Sequence, residues 1–307
     1  MLLRRVGSDC VGIVPGAITK KDCAVSADAT PQLFDRIHLG LSGSGTLLSS
    51  EIGVLVALAD AGIGVASMTG TSGGAIVAVL YAAQPDARAL ARLALEIDFR
   101  PMMQFFSFTN PVRLLLRQGI CNPGPLHRFL LQRTQGARFR DLDLPLRITA
   151  TDYQTSRLMV FSAATTPEVR IADAARASSS LPFVYPPARV GGRLYMDGGL
   201  CLDIPAPLLP HDAIPAVCTY TVGDHRLRRH WPFYIRPFYQ VVATTINALL
   251  RGQDRYDRLA APWVHCVPID TGQLDVLDTA MAAHVQASLL EAGRAQMARV
   301  LGELAQG

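Results

Sequence analysis

The sequence predicts an α/β fold, with a mostly parallel or mixed sheet covered on both faces by helices. Three observations predict it. Short apolar runs of strand length alternate with segments of helical periodicity from Arg36 onward. Half of the 307 residues are hydrophobic, enough for a large buried core in one large domain or two small ones. No internal repeat or low-complexity linker interrupts the pattern.

Residues 1–35 carry no clear periodicity and are expected to form a surface extension or tail. RIHLGLS (36–42) has the composition of a strand, and GSGT (43–46) of a loop. SEIGVLVALADAG (50–62) places Ile52, Leu55, Val56 and Ala59 on one helical face, with Gly62 as its stop. VASMT (65–69) predicts a buried strand, residues 72–84 a helix ended by Pro85, and residues 86–96 another helix. LPLRITATDYQ (144–154) and RLMVFS (157–162) predict two strands about a turn. A helix is expected over 168–180, a Pro-broken loop from Leu181 to Pro187, and a strand with a Gly-rich end over 191–199. AVCTYTV (216–222) and WVHCVPI (263–269) read as strands, and 238–252 and 275–305 as helices.

Net charge is +4, and Lys20 and Lys21 are the only lysines, so the basic character is almost all arginine. That bias suits a GC-rich coding sequence, and no nucleic-acid module signature accompanies it. The six cysteines form no C-x-x-C pair and no Cys/His cluster of zinc-ligand spacing, so neither metal nor cofactor is expected and a reduced compartment is. The N-terminus lacks a sustained apolar segment of the secretory kind, and no run of about 18 apolar residues exists to span a bilayer. The expectation is a cytoplasmic protein that touches membranes peripherally at most, with export by a signal-independent route left open.

The chemistry begins at GTSGG (70–74), a G-x-S-x-G pattern. The pattern is weak alone, but here a buried strand must turn sharply into a helix at the serine. Gly70, Gly73 and Gly74 allow that turn, and Ser72 opens the helix beside free N–H groups and the positive dipole end. Ser72 is therefore a candidate nucleophile; the plainer reading is a helix N-cap. A serine nucleophile needs a base. Asp197, in RLYMDGGLCLDIPAP (193–207), follows a strand and precedes two glycines, and a partly desolvated carboxylate bonded to the hydroxyl would serve. His265 offers the alternative, as the last member of a Ser–His–Asp set.

Together these residues resemble the patatin-like phospholipase family. The likeness rests on the order of strand, Gly-rich loop and helix, then GTSGG, then a late DGG. RASSSLPFVYPPARVGGRLYMDGGL (176–200) is similar to the family's A-S-x-x-x-P-x-x-F-P-P…DGG block, with Tyr185 in a phenylalanine's place. LPLRITATDYQTSRLMVFS (144–162) and CVPIDTGQLDVLD (266–278) resemble two further family segments, and the likeness covers roughly 36–300. It implies a three-layer α/β/α catalytic domain over 36–307 and a Ser72–Asp197 dyad without histidine. It also implies hydrolysis of lipid acyl esters through an acyl-enzyme, with no metal. The oxyanion hole would come from Gly43, Ser44, Gly45 and Thr46, with Gly73. The family's G-G-G-x-[RK]-G loop reads GSGTLL here (43–48), with Ser44 for the middle glycine, Leu47 for the cation and Leu48 for the last glycine. That departure supports an alternative: a catalytically degenerate protein that binds lipid or a partner.

Two segments bear on lipid access. The 99–125 region, rich in Phe99, Met102, Met103, Phe105 and Phe106 and broken by Pro101 and Pro111, suits a cap over an acyl pocket or, equally, plain core packing. RLRRHWPFYIRPFY (226–239) mixes Arg228 and Arg229 with Trp231 and Phe233; this suits an anionic membrane interface or a solvated turn before a core helix. The expected partners are thus an acyl-ester lipid and a membrane surface. Nucleic acid is not expected, and the sequence is silent on an activating protein.

Overall fold

The computed structural model describes residues 34–98, 100–102, 118–223, 236–274 and 281–306. In chain order the elements are β1 (Arg36–Leu41), α1 (Leu48–Asp60), β2 (Gly64–Gly70), α2 (Ser72–Ala83), α3 (Ala87–Glu96) and α4 (Gly124–Arg133). Then come β3 (Leu146–Asp152), β4 (Leu158–Ser162), α5 (Ile171–Ser178), β5 (Ala188–Val190) and β6 (Arg193–Met196). The chain ends with β7 (Ala216–Val222), α6 (Arg236–Leu259), β8 (Val264–Asp270) and α7 (Ala283–Leu304).

One mixed sheet has the order β5-β6-β3-β2-β1-β7-β8, with β4 also on β3. β3, β2, β1, β7 and β8 are mutually parallel. β4 and β6 run antiparallel to β3, and β5 antiparallel to β6. Burial follows position. Central β1 is buried at every residue after Arg36, whereas edge strand β8 alternates buried and open residues. Helices flank the sheet, as the α/β/α class requires. α1 packs on α3 and α7, α2 on α5, and α5 on α4. The α1–α7 crossing is close because glycines face backbone there: a Cβ on Gly53 would lie 2.8 Å from Arg294 N, and one on Gly293 2.7 Å from Ser50 C.

Two features of this topology position the site. The chain leaves β1 for β2 and β3 on one side and returns to β7 and β8 on the other. β1 is thus the switch point, where a crevice opens beyond the strands' C-terminal ends. The second feature concerns the edges of β3. β4 pairs with residues 147–151 of β3, so β2 (on 146–148) and β6 (on 151–152) must share the opposite edge. β2 runs with β3 and β6 against it. Their C-terminal ends therefore meet head to head at Thr149 and Ala150.

Four elements differ from the sequence reading, one of them α7, expected over 275–305 and beginning at Ala283. α4 was not expected; its Leu126, Phe129 and Leu130 do fall at helical spacing, directly after the Phe- and Met-rich run. β5 has only three residues, too few to show a period. α6 runs past Gly252 to Leu259: the interior glycine costs about 1 kcal/mol, and beyond it Gln253 and Asp257 bond to the segment that follows Asp197.

Candidate active site

Ser72 stands where β2 becomes α2. Thr71 is extended and occupies the N-cap position without a side-chain cap bond, and Ser72 follows with φ of 50°. A non-glycine residue in that region is strained by roughly 1–2 kcal/mol, so the surroundings must hold it. They do so on both sides. The Thr71 N–H donates to Leu41 O at 3.0 Å, and Thr149 Oγ1 donates to Thr71 Oγ1 at 2.8 Å. The Ser72 N–H donates to Ser178 Oγ at 2.8 Å, and Ser179 Oγ donates to Ser72 O at 3.2 Å. Gly74 completes the turn: a Cβ there would sit 2.5 Å from both Leu41 O and Ser42 O.

The Ser72 hydroxyl does not cap the helix. It donates to Asp197 Oδ2 at 2.7 Å. Asp197 follows β6 and is 3% exposed. Its other oxygen accepts the Gly199 N–H at 2.8 Å. Its backbone is clamped as well, the N–H to Ser180 O at 3.0 Å and the carbonyl by Thr151 Oγ1 at 2.7 Å. Burial pushes the Asp197 carboxyl up to about 6, and the bonds from Ser72 and Gly199 pull it partly back. A carboxylate tuned to that range can accept a proton near neutral pH.

The 43–46 loop lies beside Ser72. Positive φ falls at Gly45 (56°) and not at Ser44, so the serine in the middle-glycine place is unstrained. The Ser44 hydroxyl turns inward and donates to Glu51 Oε2 at 3.1 Å. Glu51 is fully buried, and burial pushes its carboxyl well above the ordinary range. The Gly43 N–H points at Asp203, donating to its carbonyl at 3.4 Å. The N–H groups of Ser44, Gly45 and Gly73 form no hydrogen bond to another described residue, and Gly45, Thr46 and Gly73 line the pocket with Ser72 and Asp197. Leu47 and Leu48, in place of cation and glycine, are buried at the head of α1. No arginine is among the described residues lining the pocket.

From this polar end an apolar pocket runs between α1, α2, α3 and α4, walled by Ile52, Ile76, Leu80, Leu93, Met102 and Phe129 among others. Tyr185, the tyrosine in a phenylalanine's place, donates its hydroxyl to Met102 O at 3.0 Å and lines the same pocket. Met103, Phe105 and Phe106 lie outside the described residues, as do Arg228, Arg229, Trp231 and Phe233.

His265 is far from this centre. It is the second residue of β8, opposite Val217, and Leu39 and Met68 continue that register. Three strand spacings and four residues of rise separate it from Ser72, roughly 20 Å. Several contributors were not read from the sequence as parts of the site: Ser178, Ser179, Ser180, Thr149, Thr151, Glu51 and Asp203. The triple serine at the end of α5 was the one visible signal. Among the described residues no group of three or more His, Cys, Asp or Glu is placed to hold a metal.

Comparison with known proteins gives the family of the chain. The family model described as patatin-like phospholipase matches residues 39–210, more than half of the chain. The chain belongs to the patatin-like phospholipase family. An uncharacterised protein of Acanthamoeba polyphaga mimivirus is 28% identical over 186 residues, covering 57% of this chain and 62% of that protein. Mouse patatin-like phospholipase domain-containing protein 6 is 30% identical over 196 residues, 61% of this chain but 14% of that protein. The match thus spans less than two thirds of either relative. Among solved structures, VipD from Legionella pneumophila aligns with a TM-score of 0.58 at 16% identity, over 88% of this chain and 67% of that one. ExoU, in its complex with SpcU from Pseudomonas aeruginosa, aligns with a TM-score of 0.52 at 20% identity, over 89% and 52%. These two likenesses establish the patatin fold.

Proposed function

We propose that this patatin-like protein is a serine lipid acyl hydrolase, a carboxylic ester hydrolase of the phospholipase A or lysophospholipase kind. The observation that carries the reading is the 2.7 Å bond from a strained Ser72 hydroxyl to buried Asp197, at the polar end of an apolar pocket. The acyl chain lies along the pocket, and its ester carbonyl sits over Ser72. Asp197 takes the Ser72 proton as Oγ attacks the carbonyl carbon. The N–H groups of Ser44, Gly45 and Gly73 receive the oxyanion. Asp197 returns the proton to the departing alcohol, leaving an acyl-Ser72 ester. Water then gives its proton to Asp197 and attacks that ester, and the free acid leaves as the proton goes back to Ser72. The Ser44–Glu51 bond supports the loop's part in this: it ties the extra hydroxyl to a buried carboxyl, while Gly45 and Gly73 line the pocket beside Ser72.

The test is fatty-acid release from phospholipids, neutral glycerides and short acyl esters, with Ser72→Ala and Asp197→Ala beside wild type. The expected result is turnover by wild type alone, with each variant down by at least about 10²-fold. A wild type that turns over nothing, and whose Ser72 resists a fluorophosphonate, would make the protein a lipid or partner binder instead.

A further inference from the structure

Helix α6 has two faces of opposite character. One braces the segment that follows Asp197. Gln253 Nε2 donates to Leu200 O at 2.9 Å, and Asp257 Oδ2 accepts the N–H groups of Asp203 and Ile204 at 3.2 Å each. Leu250 reaches the same turn, its Cδ2 3.3 Å from the place where a side chain on Gly199 would begin. The other face is apolar and open. Val241, Leu249, Tyr256 and Leu259 are exposed by 67%, 55%, 75% and 68%. At 100° per residue these four fall within one stripe under a quarter of the circumference wide, with exposed Thr245 and Gly252 between them. The helix's only acids, Asp254 and Asp257, lie on the opposite side, and exposed Arg255 flanks the stripe. The sequence just before the helix, RLRRHWPFYI (226–235), adds three more cations.

We propose that α6 lies flat on an anionic phospholipid bilayer through the Val241–Leu249–Tyr256–Leu259 stripe. The inference rests on the lipid-hydrolase reading for its purpose. An apolar stripe without acids, edged and preceded by arginine, matches acyl chains beneath anionic headgroups. It is amphipathic and suited to the interface, and no described helix is long and apolar enough to cross a membrane. Docked this way, α6 brings the Asp197 turn within about one helix diameter of the lipid, roughly 10 Å.

The experiment compares wild type with the double variant Leu249→Glu, Tyr256→Glu. It measures sedimentation with phosphatidylcholine–phosphatidylserine vesicles and with phosphatidylcholine alone, hydrolysis of a dissolved short-chain ester, and molecular mass in solution. Wild type should sediment with the anionic vesicles. The double variant should bind them at least about tenfold more weakly while hydrolysing the dissolved ester at the wild-type rate and unfolding as cooperatively. Unchanged vesicle binding in the variant, or none in the wild type, would overturn the proposal. So would a wild-type dimer that the variant dissolves, because the stripe would then cover a second copy. If wild type fails on the dissolved ester, the hydrolase reading falls, while sedimentation still decides the docking.

Discussion

Asp197 is asked to be buried and to be charged, and the site is a settlement between the two. Burial raises its carboxyl to about 6, and the Ser72 and Gly199 bonds keep it from rising further. The protonated form cannot accept the serine proton. kcat/KM on a dissolved short ester should therefore rise with pH through an apparent value near 6 and level off above it. A flat profile between pH 5 and 7 would remove Asp197 from the role of base. Ser72 and Asp197 were legible in the sequence because each sits in a glycine-marked turn whose geometry is local. Ser178 and Ser179 were not, because their partner Ser72 is more than a hundred residues away and nothing in a run of serines says what it touches. Glu51 was illegible for a related reason. An acid in the first turn of a helix ordinarily faces water, and only the packing of α1 shows that its carboxyl is buried against Ser44.

At the scale of elements, the geometry of the proposed site follows from a shared strand edge. β2 and β6 abut on one side of β3, so the residues just after each strand, Ser72 and Asp197, come together across 125 positions of sequence. The sequence showed the strands but not this pairing, because strand length and alternation carry no information on which edge a strand joins. Tolerance at the junction is small. In Gly74→Ala the new methyl would lie 2.5 Å from Leu41 O and Ser42 O and must push the head of α2 off β1. A destabilisation of about 1–3 kcal/mol is expected, seen as a lower denaturant midpoint. A turnover loss larger than unfolding explains should accompany it, since Ser72 moves with the helix. Unchanged midpoint and turnover would show that α2 is free to shift and that the turn is not what sets Ser72.

Over the whole molecule, the acids near the Ser72 end of the sheet carry a shared cost. Burial raises the carboxyls of Asp197 and Asp257 to about 6, and those of Glu51 and Asp203 well above their ordinary range. For Asp203, the neighbouring acids Asp254, Asp197 and Asp257 add to the effect of burial. A carboxyl raised in the fold binds its proton more tightly there than in the unfolded chain. Its contribution is unopposed below the ordinary 3.8, and stability is lost as pH climbs from there through the folded value. Asp60, Asp98, Asp152 and Asp212 are lowered, so their contribution is lost only as pH falls below the ordinary value. Stability should thus peak in mild acid and decline toward neutrality. Asp197→Asn isolates one share of that decline, since the amide can still accept from Gly199 and reach Ser72. The variant should be inactive yet match wild type in thermal stability near pH 4. It should then gain on wild type as pH rises, by up to about 3 kcal/mol above pH 6, the worth of the full shift. A gap that stays constant across this range would mean that Asp197 does not titrate as a buried acid. The strain would then lie in its packing, and the catalytic base would have to be sought elsewhere.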